Sequence, residues 1–422
     1  MLSSGFSLVF VFFFMLTLVL RYWLAQRHIG HVLRHRAAVP AEFAARIPLP
    51  AHQKAADYTV AKTRFGLYGA LWSGLVLVGF TLLGGLQALS NALLQLAGPG
   101  MAYQVGLVVA FSLISGLLDL PFSWYRQFVL EQRFGFNKMN VKLWIVDGIK
   151  GAVVGAVIGL PLVWVVLVLM SKTGDLWWCW AWLVWSGFQL LMMVLYPTVI
   201  APLFNKFTPL QDATLKERIE GLMTRVGFAS KGLFVMDGSK RSAHGNAYFS
   251  GFGANKRIVF FDTLLERLAP PEIEAVLAHE LGHFKLKHIV KRIVVLFALS
   301  LAFLALLGWL KTKTWFFTGL GVVPLPFHGA NDAMALLLFM LVLPVFTFPF
   351  SPLSSFGSRK HEFEADAFAA QHSDARELVS ALVKMYEDNA STLTPDPVHS
   401  AFYDSHPPAW VRVQHLQAAG AV

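Results

Sequence analysis

Charge is scarce in this chain. Asp, Glu, Lys and Arg make up only 14% of its 422 residues, against roughly 25% in an ordinary soluble domain. That is too few to cover a surface in water, which excludes a soluble multidomain enzyme and a disordered hub. Cysteine is scarcer still. Cys179 stands alone, so no internal disulfide can form and a secreted disulfide scaffold is excluded. Acidic residues number 25 against 35 basic ones, leaving a net charge of +10. No basic and aromatic cluster makes a groove-like pattern, so nucleic acid is not an expected partner.

Apolar residues fill the gap, at 56% of the chain with a mean hydropathy of +0.55. A bilayer-spanning helix needs about 20 mostly apolar residues. Seven such runs occur, near 5–20, 67–90, 103–120, 151–170, 176–199, 290–310 and 333–351. The first lacks a preceding positive charge and a small-residue cleavage site before Arg21, so it is expected to stay as an anchor. The expected class is a mainly α, polytopic membrane protein with seven transmembrane helices, embedded in a lipid bilayer.

The connecting segments alternate in charge. The first holds Arg21, Arg27, Arg34, Arg36, Arg46, Lys54, Lys62 and Arg64, whereas 91–102 has no Lys or Arg. The third holds Arg126, Arg133, Lys138, Lys142 and Lys150, and the fourth only Lys172. Positive segments stay inside, so odd-numbered connections and the C-terminus are expected in the cytosol, with the N-terminus outside. Much of the +10 charge is an orientation signal.

Four regions follow: 1–200 with five spans, 201–289 as a cytosolic catalytic segment, 290–351 with two further spans, and 352–422 as a cytosolic C-terminal segment. Between the spans, 212–227 reads as helix, 232–237, 245–251 and 257–262 as strands, and 271–288 as helix. Residues 358–388 read as one helix. Neither globular stretch is large enough for an independent core, so one compact unit docked on the spans is expected.

The strongest chemistry is His279-Glu280-Leu281-Gly282-His283. Pro270 and Pro271 open its helix, and Ile273, Val276 and Leu277 repeat at helical spacing. Positions i and i+4 share a helix face, so His279 and His283 can hold one Zn²⁺. Glu280 projects beside that face, where it can take a proton from metal-bound water. A five-residue string also recurs by chance, and its helical context argues against that.

A catalytic zinc needs a third protein ligand and one open position. The best supplier is the string 358–366, SRKHEFEAD. Glu362 and Asp366 share a face, while Glu364 lies about 200° around the helix from Glu362 and cannot meet the same ion. Glu362 is assigned as ligand and Asp366 as the acceptor behind a ligand imidazole. Spacing alone fits equally a charged helix leaving the membrane, anchored by Arg359 and Lys360. Farther on, His406 could donate to an oxyanion, with Arg412 holding it or neutralising a substrate carboxylate. By itself His406 reads as a surface residue. Asn246 and Tyr248, in a Gly-punctuated strand at 244–253, could sit on an edge that receives an extended peptide, or in a plain hairpin. His288 falls off the ligand face and reads as a helix cap. His28, His31 and His35 read as solvated.

These strings, with HPPAWVR at 406–412, resemble the type I CAAX prenyl protease family of integral-membrane zinc endopeptidases. Segments 54–65, 121–137 and 196–210 carry further signatures, so the resemblance runs from the first basic segment to Arg412. It implies His279, His283 and Glu362 as zinc ligands, Glu280 as the catalytic glutamate and Asp366 as the supporting acid. It implies His406 and Arg412 near the scissile carbonyl, and Asn246 near the substrate. It also implies a barrel of seven long helices around an intramembrane chamber, capped on its cytosolic side by the zinc unit with its small β element. The expected partner is a peptide or protein substrate, lipidated at its C-terminus or merely membrane-associated. The shorter length and the ending Ala418-Ala419-Gly420-Ala421-Val422, without a lysine-rich retrieval signal, favour a bacterial inner membrane over the endoplasmic reticulum.

Two other functions compete. A membrane quality-control protease of the bacterial heat-shock type would share the zinc site but has fewer spans. A transporter or channel with structural zinc would place ionisable residues inside the spans, and these are nearly charge-free, Asp119 lying near a span end.

Overall fold

The computed structural model describes residues 2–230, 232–250, 257–327 and 329–419. The membrane part contains α1 (Leu2–His35), α2 (Leu49–Phe80), α3 (Gly85–Ala97), α4 (Met101–Phe134), α5 (Val141–Lys172) and α6 (Gly174–Phe204). The catalytic part follows with β1 (Phe207–Pro209), α7 (Ala213–Arg225), β2 (Leu233–Met236), β3 (Ala247–Ser250), β4 (Arg257–Phe261) and α8 (Pro270–Lys285). The chain returns to the apolar region in α9 (His288–Leu310) and α10 (Asp332–Thr347). It ends in α11 (Ser351–His372), α12 (Ala375–Asp388), α13 (Pro397–Tyr403) and α14 (Ala409–Ala419).

Among the described residues six helices are long and apolar enough to cross a membrane, or seven when the bent pair α2 and α3 counts as one span. The expected span 67–90 straddles that 50° bend. Gly84 turns left-handed there with φ +79°, and the Thr81 hydroxyl folds back to donate to the Leu77 carbonyl at 2.6 Å. Gly321, itself left-handed at φ +80°, packs against the Thr81 carbonyl with no room for a side chain. The bend is therefore held from outside by the 319–322 turn. Phe10, Phe14, Leu107, Leu167, Trp177, Leu307, Phe316 and Leu338 form the core between the spans. Leu71, Leu75, Val157 and Val294 are exposed, as suits side chains facing hydrocarbon.

The sheet has the order β1-β2-β4-β3. β2 runs parallel to β4, and β1 and β3 are antiparallel to their neighbours. β3 therefore forms one edge. Three residues ending in proline gave β1 no periodic signal in the sequence. The expected strand 245–251 is Ala247–Ser250 in the structure, and Gly251, Phe252 and Gly253 of the edge motif lie outside the described residues. The single helix expected over 358–388 is two, because Asp374 caps a new start by accepting from the Arg376 amide at 2.9 Å.

α8 is the axis of the catalytic unit. Residues 272–279, Leu281 and Gly282 are all buried, the pattern of a helix enclosed on every side. Ile273, Leu277 and Leu281 join Ile219 and Leu222 of α7, Phe260 of β4, Ala369 of α11 and Leu378 of α12 in one core. This enclosure holds the two histidines of α8 still against α11.

Candidate metal centre

The last two turns of α8 present His279 and His283 with their Nε2 atoms 3.2 Å apart. α11 brings Glu362 to them. Its Oε1 lies 3.2 Å from His283 Nε2, and its Oε2 lies 3.5 Å from His279 Nε2. The close approach depends on Gly282, where a Cβ would lie 3.1 Å from Ala365 Cα and from Phe368 Cβ.

Behind this group, Asp366 is fully buried. Its Oδ1 lies 2.8 Å from His279 Nδ1. Arg412, also buried, grips the same carboxylate through Nη2 at 2.6 Å and Nε at 2.9 Å. Burial by itself would lower the Arg412 pKa, and the Asp366 carboxylate outweighs it and raises it. His279 follows the same logic: burial opposes its charged form, while Asp366 and Glu362 hold its pKa above the ordinary value. A carboxylate can only accept, so in the neutral ring the proton sits on His279 Nδ1 and the lone pair on Nε2.

Two imidazole nitrogens and a carboxylate thus converge within 3.5 Å of one another. Among the described residues Glu362 Oε2 is buried and accepts no hydrogen bond, with His279 Nε2 at 3.5 Å and Arg412 Nη1 at 3.6 Å. Such a set is costly unless a cation fills it, and its mix of nitrogen and oxygen donors suits a divalent metal with an open position.

Glu280, His283 and Glu362 line one wall of a cavity of about 750 Å³. Trp185 of α6 and Leu296, Phe297 and Phe303 of α9 line it as well, so it joins the cluster to residues of the apolar spans. His406 lines it too, with Nε2 3.4 Å from Glu362 Oε1 and Nδ1 2.9 Å from Ser405 Oγ. The structure thus brings together His279, Glu280, His283, Glu362, Asp366, His406 and Arg412. Arg412 stands behind the cluster, with Nε and Nη2 on Asp366 and Nη1 3.6 Å from Glu362 Oε2. Asn246 is exposed at the start of edge strand β3. Tyr248 lines a separate cavity with Pro202, Asn205 and Phe234, so the structure does not join it to the cluster. The reason is strand alternation: Ala247 and Phe249 pack toward the α8 core, and Tyr248 points the other way.

Two readings of histidines need correction. His28 is buried, not solvated: it stacks on His399 at 3.9 Å and its Nδ1 accepts from the Asp396 amide. His288 does not cap the helix. α8 stops at Lys285 and Lys287 adopts a left-handed φ of +58°, which swings His288 back until its Nδ1 is 3.0 Å from His283 Nδ1. A straight helix would have carried it away, and no glycine announces the turn. Glu364 keeps apart from the ligand group, as its position on the helix requires, and meets His288 Nε2 at 2.8 Å.

A polytopic helical fold, with a donor set for a metal opening into an intramembrane cavity, defines an integral-membrane metallopeptidase. Comparison with known proteins narrows this. Residues 28–206 match the family described as CAAX prenyl protease N-terminal, five membrane helices, and residues 209–419 match Peptidase family M48. The CAAX prenyl protease 1 homolog of Arabidopsis thaliana is 41% identical over 72% of this chain and 70% of its own. CAAX prenyl protease 1 of Saccharomyces cerevisiae is 36% identical over 84% of this chain and 83% of its own. The crystal structure of S. mikatae Ste24p superposes with a TM-score of 0.92 at 31% identity, covering 97% of this chain and 99% of that one. The chain belongs to the CAAX prenyl protease 1 family of M48 peptidases, multi-pass membrane metalloendopeptidases. These relatives are eukaryotic, so the expectation of a bacterial member and a bacterial inner membrane finds no support in them.

Proposed function

We propose that this metalloendopeptidase uses one zinc ion held by His279, His283 and Glu362, with its site on the cytosolic side of the membrane. The observation that carries the reading is the convergence of His279 Nε2, His283 Nε2 and the Glu362 carboxylate within 3.5 Å of one another, with Glu362 Oε2 buried and without a hydrogen bond among the described residues. When bound, zinc supplies a Lewis acid that makes water a nucleophile near neutral pH. Glu280, on the cavity wall, accepts the proton of the attacking water and returns it to the leaving amine. Ser405 Oγ lies 2.9 Å from His406 Nδ1; in the tautomer where the hydroxyl donates, Nε2 carries the proton and offers it to the carbonyl oxygen. Asp366 and Arg412 fix the His279 ring.

The relatives' names point to prenylated, CAAX-type substrates, and a cavity walled by apolar residues of α6 and α9 suits a lipid chain. The β3 edge, with Asn246 at its start, suits an extended peptide. The alternation of basic connections supports the cytosolic side.

Glu280→Gln tests the mechanism. Zinc content measured on the purified variant should match the parent, while turnover of a prenylated peptide should fall by about 10²–10⁴-fold. Hydrolysis at the parental rate would overturn the role of Glu280.

A further inference from the structure

We propose that His288 is a positioning residue for the metal site, holding His283 in the tautomer that leaves Nε2 bare and handing the proton chain on to Glu364. It rests on the proposed ion at His279, His283 and Glu362.

The bookkeeping of protons carries it. An imidazole that ligates through Nε2 has no proton there, so neutral His283 must carry its proton on Nδ1. That atom faces His288 Nδ1 at 3.0 Å, and the contact is a hydrogen bond only if His288 Nδ1 is bare. Neutral His288 then carries its proton on Nε2, which lies 2.8 Å from Glu364 Oε2, an acceptor. Every proton in the chain is placed by its neighbour. The reverse arrangement fails: a protonated His288 Nδ1 would force His283 Nδ1 bare and put a proton on the ligating nitrogen.

Burial makes the chain consequential. His288 is 4% exposed and Glu364 36%, so the inner bond is shielded while the outer carboxylate keeps contact with water. The His361 ring stacks on His288 at 4.1 Å and 12°, holding its plane. His288, His361 and Glu364 also lie close enough together to hold a metal. Stacked parallel rings, however, do not aim their nitrogens at one point, and both nitrogens of His288 are already committed. The two ligand histidines are thus held alike from behind, His279 by Asp366 directly and His283 by Glu364 through an imidazole.

The test compares zinc affinities of full-length protein in detergent, by competition with a chelator after stripping, in two complementary variants. His288→Phe keeps the ring and its stacking but loses the acceptor. His288→Asn loses the ring but sets an oxygen near the place of Nδ1. The expected result is a 10–100-fold weaker zinc affinity for the Phe variant and recovery of most of that loss in the Asn variant. Parental affinity in His288→Phe, or an Asn variant as weak as Phe, would overturn the assignment in favour of plain packing. Glu364→Ala, at a partly exposed site, should weaken zinc by a smaller factor, and no change there would overturn the relay. The underlying site has its own control: if His283→Ala binds zinc as tightly as the parent, the ligand assignment fails, whatever His288 does.

Discussion

Asp366 receives two nitrogens of Arg412 and one of His279 on a single buried carboxylate. Glu272 does similar work at the other end of α8. It accepts from the Ala269 amide at 2.7 Å, from Ser380 Oγ at 2.7 Å and from Lys384 Nζ at 2.8 Å, with 4% of its side chain exposed. Burial alone would raise its pKa, and these donors outweigh it and lower it. A carboxylate whose pKa is lower when folded stabilises the fold above its unfolded pKa of about 4.3 and stops doing so as pH falls through the folded value. Glu272→Gln should therefore cost about 1–3 kcal/mol at neutral pH and flatten the acid limb of the unfolding curve below pH ~4.3. Thermal unfolding from pH 7 downward checks it. A variant that tracks the parent across the range would show that Glu272 does not tie α8 to α12.

The next scale is the pair of helices α8 and α11. The i, i+4 spacing of His279 and His283 and the order of Glu362 before Asp366 were legible from periodicity, because each pair belongs to one unbroken helix. His288 was not. Its position depends on a left-handed lysine, a conformation that L-residues other than Gly rarely adopt and that no local pattern signals. Gly282, inside the metal motif, likewise looked like an ordinary member of the string. Its lack of a Cβ is what lets α11 approach α8. Gly282→Ala should cost about 1–3 kcal/mol through overpacking and weaken zinc binding with it, because the clash pushes Glu362 away from both histidines. Unfolding and chelator competition on one preparation check both. Stability loss with unchanged zinc affinity would show that the ligands move as one body.

For the whole molecule, the arrangement across the bilayer follows from where cations are allowed. Cys179 is the sole cysteine, so a Cys179→Ser background permits single-site labelling. Cysteine at Leu96, 83% exposed beside a connection without basic residues, should react with an impermeant maleimide from the outer side of sealed vesicles. Cysteine at Lys216, in the catalytic unit, should react only from the cytosolic side. Labelling of both from one side would overturn the orientation.

Composition and periodicity alone determined a membrane protein, its apolar runs and the helix that carries the two histidines. Those are local properties, set by transfer of side chains into hydrocarbon and by 3.6-residue spacing. Tertiary structure decided the rest: the 50° bend of the second run, the burial of His28, the separation of Tyr248 from the cluster, and the return of His288 to His283. Each depends on contacts between residues that no sequence period relates. The scarcity of charge excluded a soluble fold from the first, and the packing of α11 against α8 and α14 is what gathers Glu362, Asp366 and Arg412 around two histidines.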